Sequence, residues 1–204
     1  MAEASKKNII KLFGKWDTNV KINDMGLENY LNVKSTIIPR SMGRNQKKQF
    51  YKSKMNIVER LVNHLSVPGH WGKKHKISSG NLPSSHEATL KIVEMAFDII
   101  EEKTKKNPVE VFVRAIENAA IHEETMSYQM GGIIARKAVV TSPQRRIDKA
   151  LRYICQGAYQ KAYGKKTKIH EALANEIINA YNNSNESVAI REKERIEREA
   201  VSSR

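Results

Sequence analysis

The chain has almost no cysteine and no long apolar run. Cys155 is the sole cysteine among 204 residues, which excludes an internal disulfide framework and favours a reducing compartment. No apolar stretch approaches the roughly 20 residues of a membrane-spanning helix. The first eleven residues also lack the apolar segment of a secretory signal. We therefore expect a soluble, cytoplasmic protein without a membrane partner.

The sequence also lacks the residue patterns of known catalytic and metal sites. None of the six histidines is paired with Cys155 at a metal-ligand spacing, and the sequence shows no combination of nucleophile and base to which a reaction could be assigned. The segment Gly69-His70-Trp71-Gly72 has the wrong glycine spacing for a phosphate loop. It has the spacing of a KH-domain loop, but that domain needs a three-stranded sheet that the sequence does not predict. We predict a protein that is not an enzyme and needs no metal, cofactor or small-molecule substrate.

Positive charge is abundant and unevenly distributed. Lys and Arg number 36 against 22 Asp and Glu, a net charge of +14. Residues 1–54 hold 12 basic and 4 acidic residues, net +8, and residues 143–168 hold 8 basic and 1 acidic, net +7. No acid lies between Arg40 and Lys54, or between Lys149 and His170. Such clustering indicates a nucleic-acid partner, because neutralised phosphates release counterions; a merely soluble basic protein is the alternative.

Residues 1–54 show no sustained hydrophobic period and are punctuated by glycine and proline. We predict an extended basic N-terminal arm that orders on a partner, followed by a helical RNA-binding domain over residues 55–204. Gly131-Gly132, between alternating and β-branched residues, predicts a β-hairpin at about 125–141. A lone hairpin is marginal in water, so it must lean on the helices or on a partner.

Apolar residues at helical spacing predict five to six helices in residues 55–204, so the fold class is mainly α, a bundle with one protruding hairpin. Residues 186–200 are charged nearly all round, and we expect them to lie at the periphery. Cys155 lies beside an apolar helix face and is expected to be packed and inert. The predicted helix starts are Met55, Ser84 in a capping box with Glu87, Asn107 before Pro108, Ser142 before Pro143 (to about Tyr163), and Thr167.

Several of these motifs, in this order, resemble the S-seven family of small-subunit ribosomal proteins. The resemblance covers residues 55 to about 200, and Lys11 to Trp16 resembles the N-terminal extension of the archaeal and eukaryotic branch. The segments that carry it are Asn107 to Asn118, Gly131-Gly132, Ser142-Pro143-Gln144-Arg145-Arg146, and Leu173 to Ile177.

The resemblance implies a structural protein bound to the 3′ major domain of small-subunit rRNA, where it nucleates assembly of the subunit head. It also implies a position near the messenger exit and the E-site tRNA, with neighbouring head and platform ribosomal proteins as contacts. Basic residues of the family fall at Lys73 and Lys74, at Arg136 and Lys137, and at Arg145 and Arg146. The first hairpin strand, Met126 to Met130, departs from the pattern because it lacks arginines.

Charge clustering and the resemblance together give a set of predicted RNA-binding residues. The alternative function is a free-standing helical DNA- or RNA-binding protein outside the ribosome. Four aromatic residues beside Lys or Gly are candidates for base stacking, namely Trp16, Phe50, Tyr51 and Trp71. The predicted RNA-binding residues are Arg40, Arg44, Lys47, Lys48, Lys52, Lys54, Lys73, Lys74, Lys76, Arg136, Lys137, Arg145, Arg146, Lys149 and Arg152.

Overall fold

A computed structural model describes residues 10–67 and 85–204 of the chain. Within these ranges it has six α-helices and one two-stranded antiparallel hairpin, which confirms the mainly helical prediction. None of the helices described there is long and apolar enough to cross a membrane. The elements are α1 (Ile57–Leu65), α2 (His86–Thr104), α3 (Pro108–Ala119), β1 (Glu123–Met130), β2 (Ile133–Val140), α4 (Pro143–Ala162), α5 (Ile169–Tyr181) and α6 (Val188–Val201).

Capping residues define where the helices begin. The Asn107 side chain accepts a hydrogen bond from the Val109 amide at 3.0 Å, and Pro108 occupies the first turn of α3, as predicted. The cap of α2 is Ser85, whose hydroxyl accepts from the Ala88 amide at 3.1 Å. The predicted cap, Ser84, lies outside the described residues. Helix α5 begins at Ile169, two residues after the predicted start at Thr167.

The predicted hairpin is confirmed, with strands that start two residues earlier than expected. Gly131 and Gly132 have φ of +53° and +89°, which glycine adopts without the strain of a side chain. Two ion pairs hold the base of the hairpin. They lie on opposite faces, because neighbouring residues of a strand point to opposite sides. Glu123 accepts from Arg204 at 2.6 Å on one face, and Glu124 accepts from Arg145 on the other at 2.5 Å.

The segment before α1 lies against the helices of its own chain. It carries two short 3-10 turns, Arg44–Gln46 and Tyr51–Lys54, and is otherwise irregular. Leu12, Trp16, Leu27 and Leu31 are buried in the common core. The Trp16 indole donates to Glu101 at 2.9 Å. These apolar side chains anchor described parts of the arm without a partner, although its division from residues 55–204 stays a prediction.

Helix α6 is not peripheral, so that prediction was wrong. Ala189, Glu192, Ile196 and Ala200 recur at helical spacing and are all buried, which gives α6 an inward face despite its many charges. It packs on α4 and on β1. Val188 and Ile190 in the first turn are buried as well, but Ile196 and Ala200 alone continue this face and are too few to stand out among the charged residues.

Cys155 has 1% of its surface exposed, and burial raises the pKa of its thiol well above the usual range. Since the thiolate is the reactive form, we expect the native protein to resist thiol-specific reagents and to react in full once denaturant unfolds it. Following thiol modification against urea concentration measures this. Fast labelling of the native chain would contradict the packing around α4.

Candidate RNA-binding surface

Asp148 on α4 brings the basic arm and the first helix together. Its carboxylate accepts hydrogen bonds from Lys52 of the arm and from Arg60 of α1, each at 2.8 Å. The His64 ring lies 3.7 Å from the same oxygen. The acid-free stretch from Arg40 to Lys54 therefore runs beside the N-terminal half of α4, and two basic segments that are distant in sequence become neighbours.

The electrostatics of this cluster favour the charged carboxylate. Burial alone would raise the pKa of Asp148, but hydrogen bonds from His64, Lys52 and Arg60 outweigh it and hold the pKa well below its usual range. Arg60 is fully buried and also donates to the Tyr30 carbonyl oxygen at 3.2 Å. Asp148 therefore stays ionised and holds the cations around it in place.

Glu124 joins the hairpin to α4 in a similar way. Arg145 donates to both of its carboxylate oxygens, at 2.5 and 2.9 Å, and Lys149 donates at 2.7 Å. Burial tends to raise the pKa of Glu124, and the bonds from Arg145 and Lys149 lower it overall. Glu124 pairs with Val139 across the hairpin, only two positions from Lys137. The basic strand β2 thus continues the surface begun by the arm and α4.

The free energy of unfolding should depend on pH through the carboxyl group of Asp148. A carboxyl whose pKa is lowered by folding stabilises the fold above its unfolded value, near 3.8, and this contribution is lost as pH falls toward the native pKa. We expect Asp148→Asn to be about 2 kcal/mol less stable than the native chain at pH 7. Between pH 5 and pH 2 the variant should lose less of its free energy of unfolding. Urea titrations across this range measure the free energy of unfolding of both chains. If the two free energies fall in parallel with pH, Asp148 does not stabilise the fold through these ion pairs.

The predicted RNA-binding residues are half-buried, exposed or outside the described residues, except for Arg146, which is buried. Lys52 and Lys149 are half-buried in the ion pairs described above. Lys73, Lys74 and Lys76 lie outside the described residues. The exposed cations are Arg40, Arg44, Lys47, Lys48, Lys54, Arg136, Lys137, Arg145 and Arg152.

Arg146 differs from its neighbour Arg145, because it is buried and faces the interior. Its guanidinium donates to Asp24 at 2.7 Å and lies 3.3 Å from the His122 ring. Burial tends to raise the pKa of Asp24, and hydrogen bonds, first among them that from Arg146, lower it overall. Arg146 therefore fastens the arm to α4. It also lies one turn before Ala150, on the apolar side of the helix, which was the sequence signal for burial.

The aromatic residues predicted to stack on bases occupy three different environments. Trp16 is only 3% exposed, so its place in the core contradicts that prediction. Tyr51 is flanked by the ammonium groups of Lys54 and Lys48, at 4.1 and 5.6 Å from its ring centre. Phe50 is 65% exposed. Trp71 lies outside the described residues.

Three exposed lysines that follow α4 were absent from the predicted set. Lys165, Lys166 and Lys168 all lie in the acid-free run that starts at Lys149, so the charge pattern was sufficient to find them. Lys161 in the same run is instead paired with Glu176 at 2.6 Å. Among the described residues no group of three or more His, Cys, Asp or Glu side chains is placed to hold a metal ion.

Comparison with known proteins decides the family. The family model described as ribosomal protein S7p/S5e matches residues 27–204. The chain belongs to this family. It is 50% identical over 196 residues to the small ribosomal subunit protein uS7 of Nanoarchaeum equitans, which covers 96% of this chain and 99% of that protein. The protein of the same name from Methanococcus maripaludis is 46% identical over 198 residues, again covering 96% and 99%.

Family membership confirms the resemblance predicted from the sequence. Proteins of the ribosomal S7p/S5e family are structural and non-enzymatic, and rRNA binding is general among them. The chain is therefore a structural ribosomal protein and not an enzyme. The alternative of a free-standing DNA- or RNA-binding protein is not favoured, because relatives with the same ribosomal name match nearly the whole chain.

Proposed function

We propose that this chain is a primary binding protein for the 3′ major domain of small-subunit rRNA, and that it nucleates assembly of the subunit head. The supporting observation is the continuous basic surface made by the arm, the exposed side of α4 and the hairpin strand β2. Asp148 joins the arm to α4, and Glu124 joins α4 to the hairpin. Family membership identifies the polyanion as ribosomal RNA.

Binding on this surface is multipoint neutralisation of phosphates by cations that the fold holds in place. Arg145 and Lys149 are kept at a fixed separation by sharing Glu124, so little side-chain freedom remains to be lost on binding. Exposed arm cations such as Arg44 and Lys47 have no ion pair among the described residues, and they adjust to the RNA. Double-stranded RNA is recognised mainly by shape and backbone, which suits a surface with fixed and adjustable parts.

The hairpin extends the proposal to further partners. The outer part of the hairpin exposes apolar side chains, including Met130, Ile133 and Ile134, each at least 66% exposed. Exposed apolar patches of this kind mark protein contact sites, and we assign them to neighbouring head and platform ribosomal proteins. The proposed position is near the messenger exit and the E-site tRNA, in cytoplasmic ribosomes.

Competition between rRNA fragments tests the assignment to the 3′ major domain. The full chain is titrated with a 3′ major-domain fragment and with a 5′-domain fragment of similar length, at several salt concentrations. We expect at least a tenfold preference for the 3′ major fragment that persists at about 0.2 M salt, where non-specific phosphate binding is weak. Equal affinity for the two fragments would overturn the assignment.

A further inference from the structure

An open cavity of about 450 Å³ lies beside the basic arm, between its two 3-10 turns and the outer side of α1. The volume is within the range of about 300–1,000 Å³ that is usual for small-molecule pockets. Its lining residues include the basic residues Lys48, Lys52 and Arg60, together with His64. No carboxylate belongs to the part of the lining that the structure describes, although Asp148 of α4 pairs with Lys52, Arg60 and His64.

Side-chain amides supply the neutral polar part of the cavity. Asn45, Gln46 and Asn63 all contribute to the lining, and each amide both donates and accepts hydrogen bonds, as the edges of nucleobases do. Among the described residues the Asn63 amide nitrogen contacts only the sulfur of Met55, at 3.4 Å, which is a weak acceptor. Within the part of the chain that the structure describes, its hydrogen-bonding capacity is therefore free for a ligand.

The guanidinium of Arg60 lies beneath the cavity, because the side chain of this residue is fully buried. Its terminal nitrogens are engaged by Tyr30 and Asp148. Its Nε is buried and has no partner among the described residues. Because this atom is not exposed, Arg60 adds positive charge beneath the cavity and no hydrogen-bond donor to its surface.

Phe50 forms the aromatic part of the cavity. Its side chain is 65% exposed, and its backbone has φ of +65°, which a bulky residue rarely adopts. The ring approached by the ammonium groups of Lys48 and Lys54 is that of its neighbour Tyr51, and not that of Phe50. The isolated fold gains nothing from an exposed phenyl ring on a strained backbone, whereas an unpaired base stacks favourably on such a ring.

We propose that this cavity holds one unpaired nucleotide of the bound RNA. The base stacks on Phe50, its edge is hydrogen-bonded by Asn63 and by the amides of the first 3-10 turn, and its phosphate contacts Lys48 and Lys52. This inference rests on the proposed rRNA-binding function and adds a contact that reads a single base, beyond the phosphate contacts of the surrounding surface.

Removal of the stacking ring separates this contact from the general attraction of phosphates. We expect Phe50→Ala to bind the 3′ major-domain fragment roughly tenfold or more weakly than the native chain. The slope of log affinity against log salt should be unchanged, because no charge is lost. Phe50→Trp should restore the affinity. The matched control is Ile38→Ala, an apolar side chain of the same segment that is 61% exposed and lies outside the cavity lining.

Base modification by dimethyl sulfate, read on the same complexes, identifies the nucleotide. One unpaired base should be protected by the native chain and become reactive with Phe50→Ala. Asn63→Leu, which keeps the side-chain volume and removes the hydrogen bonds, should expose the same base. If both variants keep the affinity and the base protection of the native chain, the cavity proposal is overturned. The preference for the 3′ major-domain fragment is not affected by that result. Loss of that preference in the native chain would instead overturn the proposed function.

Discussion

Glu176→Ala should lower the free energy of unfolding by about 3 kcal/mol, as expected when one partner of a buried ionic network is removed. Glu176 lies on α5 and is completely buried. Its carboxylate accepts from the Lys161 ammonium at 2.6 Å, from the Ser187 hydroxyl at 2.8 Å and from the Val188 amide at 2.6 Å. It therefore joins α4, α5 and the start of α6 at one point.

The carboxylate also occupies the position of a helix cap. The first amides of α6 have no partner within their own helix, and Glu176 accepts from those of Val188 and Ala189. Gly157 of α4 leaves the room for it, since a Cβ there would lie 2.9 Å from the Glu176 carboxyl carbon. Removal of the carboxylate leaves several buried donors unsatisfied, so the expected loss is larger than that of a surface ion pair.

Urea unfolding at pH 7 measures this effect, with Glu102→Ala as the control. Glu102 is an exposed residue of α2, and its replacement should change the free energy of unfolding by less than about 0.5 kcal/mol. Gly157→Ala should also destabilise, by about 1–3 kcal/mol, because the added methyl group crowds the same site. A Glu176→Ala chain within about 0.5 kcal/mol of the native one would show that α6 is held by its apolar face alone.

Replacing Arg44, Lys47 and Lys48 together by Gln should have the largest effect on RNA binding. All three are exposed and lie in the acid-free part of the arm. If each contacts a phosphate, the slope of log affinity against log salt should flatten by about 3, roughly 1 for each lost cation. Affinity for the 3′ major-domain fragment at low salt should fall by more than tenfold, while the folded structure is retained.

A matched triple variant controls for the loss of net charge. Lys103 and Lys105 at the end of α2, together with Arg198 on α6, are exposed and lie outside the proposed surface. Replacing them by Gln removes the same number and type of cations. The slope should then change by less than about 1. Equal flattening in the two triple variants would mean that total charge, and not the arrangement of the arm on α4, determines affinity.

Local sequence patterns predicted the helices and the hairpin because their causes are local. Asn107-Pro108 is a cap and first turn that act within four residues, and Gly131-Gly132 alone supplies the positive φ values of the turn. The burial of α6 depends instead on tertiary contacts. Beyond its first turn the inward face has only Ile196 and Ala200 as apolar residues, and the start of the helix is capped by Glu176, a residue of another helix.

The candidate surface was predictable as a set of charges but not as an arrangement. Clustering identified the arm and α4, because like charges gather where a polyanion binds. The roles of Asp148 and Glu124 were not predictable, since each carboxylate joins segments that are far apart in sequence. Arg146 shows the same limit. Its spacing to Ala150 indicated the apolar side of α4, but its partner Asp24 lies 122 positions away in the sequence and could not be predicted.

Directed hydroxyl-radical cleavage tests most directly whether RNA lies on the basic surface. An iron chelate is attached to a single introduced cysteine, and buried Cys155 stays unlabelled in the native fold. Gln49→Cys places the chelate within the exposed arm, and Glu102→Cys places it on α2, which packs on α5. Our account predicts strong cleavage confined to the 3′ major domain from position 49 and weak or no cleavage from position 102. Equal cleavage from both positions, or strong cleavage of another rRNA domain from position 49, would contradict it.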